Sequence, residues 1–221
     1  MSPTRRDLLR LALLSGAAAA LPVGRAAASL SERFLDRAVD SPPVPSFAVP
    51  LRIPPVLRPT RSTATTDFYD ITQLVSRVQI LPGLGPTTMW TYNGLVPGPT
   101  IIQQQDRDVR VRQHNALPFP VSTHLHGGDV PADSDGHPLD LIPPGGSKEY
   151  FYPGLHPPAP LWYHDHAVHV TGRNVYMGLA GMYLVTSDAE QRLPLPKAPF
   201  DIPPGPPGQV LPPGRVHRLP A

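Results

Sequence analysis

Proline limits this chain more than any other residue. The 221 residues include 33 prolines, well above ordinary usage. Proline has no backbone N–H to donate, and its ring clashes with the preceding turn of a helix, so a bundle of helices cannot be assembled from this text. Strand edges, strand starts and turns tolerate it. The count therefore favours a β-rich domain with many turns and disordered ends. Hydrophobic residues make up 40% and charged residues 16%, enough apolar surface for a packed core in one domain or a tight pair.

From Thr65 to about Thr186 the residues read as strand after strand. Val109-Arg110-Val111-Arg112 alternates apolar with charged positions, as a half-buried strand does. Segments 87–92, 100–105, 147–152, 161–166 and 178–186 are further short strands. Between them lies turn chemistry: Asn93-Gly94, Val96-Pro97-Gly98-Pro99 and Pro143-Pro144-Gly145-Gly146. A short turn at 171–177 is the one helical candidate. The pattern predicts an all-β fold, a sandwich or Greek-key barrel, over residues 63–196.

The flanks read differently. Thr4-Arg5-Arg6-Asp7-Leu8-Leu9 is a twin-arginine pattern, an apolar stretch runs from Leu11 to Leu21, and Ala26-Ala27-Ala28 offers small residues for cleavage. Residues 1–28 are expected to be a twin-arginine signal, which makes the mature chain secreted or cell-envelope. The apolar run is too short for a membrane span. Residues 29–62, dotted with Ser41-Pro42-Pro43-Val44-Pro45 and Ile53-Pro54-Pro55, are expected to form an extended arm. Residues 197–221 carry Pro/Gly runs at 203–208 and 211–214 and are expected to be disordered.

The formal charge of +2 and sequence pI of about 9.1 do not mark a nucleic-acid partner. Arg5, Arg6, Arg10 and Arg25 against Asp7 put +3 on residues 1–28 and leave −1, scattered, on the rest. No basic stripe remains to follow a phosphate backbone.

The chemistry sits in the histidines, nine in all. Four form two H-x-H pairs, His124/His126 and His164/His166, each at the end of an expected strand. Residues i and i+2 of a strand share a face, so each pair projects two imidazoles side by side. If the two strands are neighbours, four imidazoles converge. Neutral imidazole suits Cu, Zn, Fe or Ni, and copper(II) heads the divalent affinity order. The other five histidines, at 114, 137, 156, 169 and 217, lack this spacing and are read as ordinary surface or core residues.

At these residues the chain resembles the multicopper oxidases, most of all the spore-coat laccase and bilirubin oxidase branch. Thr91-Tyr92-Asn93-Gly94-Leu95-Val96-Pro97-Gly98-Pro99-Thr100 is similar to the family's Y-N-G-x-x-P-G-P-T signature. His124-Leu125-His126-Gly127 resembles its first copper motif and Trp162-Tyr163-His164-Asp165-His166 its second. Residues 174–181 continue the family pattern into a following strand. The resemblance implies a cupredoxin fold and a laccase-like reaction, one-electron oxidation of a phenol, pigment or metal ion coupled to reduction of O2 to water. It implies that His124 is a type-2 copper ligand and that His126, His164 and His166 serve the type-3 pair, part of a trinuclear cluster. It further implies that Asp135, in Pro131-Ala132-Asp133-Ser134-Asp135-Gly136, hydrogen-bonds solvent and supplies protons during O2 reduction. A turn-forming aspartate is the alternative reading of Asp135.

The chain also departs from the pattern. The family's trinuclear cluster takes half of its eight histidines from a last domain whose H-x-x-H-x-H and His-Cys-His motifs do not occur here. With no cysteine, the type-1 thiolate is absent too. Arginine far outnumbers lysine, which suggests GC-rich coding, so a frameshift or truncated reading near residue 203 is expected, with C-terminal cupredoxin domains missing. The competing expectation is an exported one-domain copper carrier without oxidase activity. Retention of all four histidines argues against a copper-free scaffold of the kind related proteins provide in cell division.

Overall fold

The computed structural model describes residues 50–81 and 83–196. The twin-arginine signal, the arm up to residue 49, the tail from residue 197 and His217 lie outside the described residues. Among those described, no helix is long and apolar enough to cross a membrane.

The strands form two sheets, as the alternation and turn spacing lead one to expect. One holds β1 (Arg61–Ser62), β2 (Thr66–Val78), β3 (Thr87–Tyr92), β5 (Asp108–Asn115) and β7 (Ser147–Tyr152). The other holds β4 (Gly98–Gln104), β6 (Thr123–His126), β8 (Ala159–Asp165) and β9 (Ala180–Thr186), in the order β4-β9-β8-β6. The chain crosses from sheet to sheet at each step between β3 and β8, and this wraps the two sheets around one core in Greek-key fashion. Two pairings are parallel, β2 with β5 and β4 with β9, and the other strand pairings are antiparallel.

β2 is one 13-residue strand that pairs with β1 at its start and with two longer partners along its length. Its first part runs beside β5, from Thr66↔Asp108 to Gln73↔Asn115, and its second part pairs with β3, from Gln73↔Tyr92 to Val78↔Thr87. In β5, Val109 and Val111 are fully buried while Arg110 and Arg112 reach the surface. Arg110 and Arg112 both meet Glu149 of the neighbouring β7.

Tyrosine dominates the core: Tyr92, Tyr150, Tyr152, Tyr163 and Tyr183 are all buried. A buried hydroxyl is costly without a partner. Tyr163 donates to the Pro99 carbonyl at 2.6 Å and Tyr183 to Gln103 Oε1 at 2.8 Å. The Tyr150 hydroxyl accepts from the Thr123 amide at 3.1 Å. Burial pushes the Tyr150 phenol up to about 12, so it stays a neutral hydrogen-bonding group.

Residues 55–57 lie along the edge of β4. Val56 bridges Thr100, Leu57 N donates to the Thr100 carbonyl at 2.8 Å, and Thr100 N donates to that of Pro55 at 2.9 Å. The helical turn foreseen at 171–177 is α1 (Thr171–Tyr176), and a second, α2 (Asp188–Gln191), follows β9. Ser187 caps α2 by accepting from Glu190 N at 3.1 Å.

Candidate metal centre

β6 and β8 are neighbours, paired antiparallel with His124 opposite His164 and His126 opposite Trp162. Thr123, Leu125 and Tyr163 turn into the core. By the two-residue period of a strand, His124, His126, Trp162 and His164 then share the outer face. Tyr163 is seated by Gly181 of β9, where a Cβ would lie 2.3 Å from its ring. The absence of that carbon lets the ring sink into the core, and this fixes the facing of β8.

On the outer face, one nitrogen each from His124, His126 and His164 lie within 4.8 Å of one another. His126 Nδ1 and His164 Nε2 are 3.4 Å apart. The His166 ring follows just beyond the end of β8, its centroid 4.9 Å from that of His124 and 5.6 Å from that of His164. Trp162 stacks on His164 at 4.2 Å and on His126 at 5.0 Å, and so limits the tilt of both imidazoles.

Two of the rings are oriented by backbone carbonyls. His124 Nδ1 lies 2.5 Å from the Asp135 carbonyl, and His164 Nδ1 lies 2.8 Å from the Asp165 carbonyl. A carbonyl can only accept, so Nδ1 carries the proton in each ring and Nε2 keeps its lone pair for a metal. Burial, together with the neighbouring imidazoles, pushes His164 down to about 4 against an opposing hydrogen bond. It is therefore neutral, the form that binds metal. His166 Nδ1 is buried without a hydrogen-bond partner, an unmet demand of the kind a bound ion or water answers.

Asp135 reaches His124 through a tight passage of backbone. The loop ahead of it contains a single 3-10 turn, Ala132–Ser134, and the chain then lies against β6. At Gly136, with φ +73°, a Cβ would stand 2.1 Å from the Thr123 carbonyl oxygen and 2.7 Å from His124 N. Only glycine fits there. The Asp135 carboxylate is half-exposed, with Oδ1 3.4 Å from His124 Nδ1.

Asp165, between the second pair of histidines, is wholly buried. Its Oδ1 accepts from Ser122 N at 3.0 Å; its Oδ2 accepts from Ala167 N at 3.1 Å and from Asn174 Nδ2 at 2.7 Å. Burial pushes this carboxyl above its usual range while the three hydrogen bonds pull it back.

Sequence reasoning had passed over Asp165, Trp162 and Gly136. For Asp165 a signal existed. In H-x-H the middle residue points to the face opposite the histidines, here the core, where a carboxylate needs donors. The remaining described histidines have local roles. His156 is held by the Pro153 carbonyl and accepts from Asp129 N at 2.8 Å. His114 faces Asp70 at 3.3 Å, His137 accepts from Leu139 N, and His169 occupies a left-handed turn.

The donor set is thus imidazole nitrogen throughout, with the tautomers of two rings preset. It fits a copper ion held by nitrogen, and it offers no thiolate.

Residues 74–190 match the family model for multicopper oxidase. A bilirubin oxidase from Albifimbria verrucaria is 39% identical over 204 residues, covering 88% of this chain and 36% of its own length. A laccase from Bacillus stratosphericus is 37% identical over 185 residues, covering 71% of this chain and 36% of itself. The crystal structure of a laccase from Pediococcus acidilactici Pa5930 superposes with a TM-score of 0.67 at 32% identity, covering 72% of this chain and 34% of that one. The expected all-β, cupredoxin-like architecture is the one shared with that structure. The chain spans about a third of the length of these relatives.

Proposed function

As this chain belongs to the multicopper oxidase family, we propose that it supplies copper ligands to a laccase-like oxidase that oxidises a small substrate one electron at a time and reduces O2 to water. The observation that carries this reading is the outward convergence of His124, His126 and His164 within 4.8 Å, with His166 beside them. In this reading His124 holds a type-2 copper, and His126, His164 and His166 hold the type-3 pair. Copper bound there supplies one-electron exchange with O2.

The chain's own residues set the conditions for that exchange. The Asp135 and Asp165 carbonyls hold His124 and His164 in one tautomer, and Trp162 shields two rings on one side. In this reading the Asp135 carboxylate, half-exposed and 3.4 Å from His124, passes protons from solvent. A phenol, a bilirubin-like pigment or a reduced metal ion is the proposed electron donor. With no cysteine in the sequence, the thiolate and the remaining histidines must come from further cupredoxin domains. The twin-arginine pattern in residues 1–28 supports action outside the cytoplasm.

The test is a Cu(II) titration of the chain followed by absorption and EPR. Copper with imidazole nitrogen hyperfine structure is expected, bound weakly by this chain. O2 consumption with a phenol is expected only once the further domains are joined to it. Copper bound without nitrogen couplings refutes the ligand reading. Tight stoichiometric binding by this chain alone favours a carrier instead.

A further inference from the structure

The ladder between β6 and β8 is short. It runs from His126↔Trp162 to Thr123↔Asp165, so it sets His124 against His164 but stops before His166. The next position in the same register would set Ser122 opposite His166. Half of that pair is formed: His166 N donates to the Ser122 carbonyl at 2.7 Å. The reciprocal bond is not made to the His166 carbonyl, because the chain turns away at Ala167. Ser122 N donates instead to Asp165 Oδ1 at 3.0 Å. The carboxylate stands in for the missing carbonyl and extends the ladder by one pair. Its other oxygen takes Ala167 N, on the far side of His166, and Asn174 Nδ2 of α1.

We propose that Asp165 is a positioning residue, whose one buried carboxylate sets the spacing of the two histidine pairs and holds His166 in place before any metal arrives. This rests on the reading of the four histidines as copper ligands. A carboxylate is required because three donors converge on two oxygens. An asparagine amide has a single acceptor oxygen, so its NH2 group would face a donor on one side.

The experiment compares the full chain with Asp165→Asn, Asn174→Ala and, as a control in the other sheet, the core variant Val111→Ala. Each is shown to be folded by circular dichroism at low temperature, then titrated with Cu(II) and read by EPR. Asp165→Asn is expected to weaken copper binding at least about tenfold and to alter the nitrogen hyperfine pattern. Asn174→Ala, which removes one of the three donors, is expected to have a smaller effect of the same kind. Val111→Ala should lower the melting temperature while leaving affinity and spectrum unchanged. Should Asp165→Asn fail to fold, Asn174→Ala carries the comparison. Wild-type affinity and spectrum in the folded Asp165→Asn or Asn174→Ala chains would overturn the positioning role alone. Absence of imidazole-bound copper in the unaltered chain would overturn the ligand reading and this inference with it.

Discussion

Replacing Gly136 by alanine should loosen His124 without touching it. The new Cβ would stand 2.1 Å from the Thr123 carbonyl oxygen, 2.5 Å from its carbon and 2.7 Å from His124 N. All three are backbone atoms of β6 and cannot rotate away. Ordinary contact requires the loop to lift by on the order of 1 Å, which takes the Asp135 carbonyl off His124 Nδ1. The left-handed conformation costs a non-glycine residue about 1–2 kcal/mol, and the lost hydrogen bond about 1 kcal/mol more. A total of about 2–3 kcal/mol corresponds to a fall of roughly 5–15 °C in melting temperature for a domain of this size. Gly145→Ala is the control, with φ +75° but nothing within 4 Å of the added carbon. It should show the conformational cost alone, about 1–2 kcal/mol. Thermal unfolding gives the first comparison. The 15N shifts of the His124 ring give the second, because without its carbonyl partner the imidazole loses its single tautomer. Equal losses in the two variants, or an unchanged His124 signature in Gly136→Ala, would refute the account of how Asp135 is brought to the histidine.

Three other outcomes are expected. His164→Ala should leave the circular dichroism of the barrel intact, since the ring, though buried, is not part of the hydrophobic cluster between the sheets, yet lower copper content; an unchanged metal content would contradict the site. The depressed His164, about 4 in the fold against an ordinary 6.5, makes the unfolded chain the better proton binder between those values. Its contribution is therefore complete above pH 6.5 and is lost as the pH falls towards about 4; His164→Gln should flatten the urea midpoint over that window. Asp67 is held below the usual carboxylate range first by its hydrogen bond to Arg107, in a forked pair at 2.7 and 3.1 Å. That stability is present above the ordinary carboxylate range and disappears in acid. Asp67→Asn should therefore cost about 1 kcal/mol at neutral pH and nothing measurable once the carboxylate is protonated, as denaturant melts at the two pH values would reveal.

Much of the fold could be read from local pattern. Alternation at 109–112 and the Gly/Pro turns identify strands because both depend on a few neighbouring residues. The 13-residue β2 was less visible. Its length comes from serving β5 and β3 in succession, and no local rule reports a partner forty residues away. The histidine pairs were legible because a two-residue period fixes a common face, whereas their meeting depends on β6 lying beside β8. The parts that orient the rings were hidden for the same reason. Asp135 acts through a backbone carbonyl, Gly136 through an atom it lacks, and Trp162 through a ring stacked on His126 across the ladder.

β9 lies between β4 and β8, with Ile101↔Tyr183 on one side and Trp162↔Met182 on the other. During synthesis β6 and β8 emerge before it, so the strand that supports the inner flank of the histidine face is the last one made among the described strands. Until Thr186 has left the ribosome, β8 has no neighbour on that side, and Tyr163 lacks the Gly181 seat that settles its facing. The pairing of β9 with β4, Ile101↔Tyr183, joins residues about eighty positions apart, and long-range pairing forms late and slowly. The order of translation thus separates two events: the imidazoles exist early as loose side chains, and they become a shaped site only when the barrel closes.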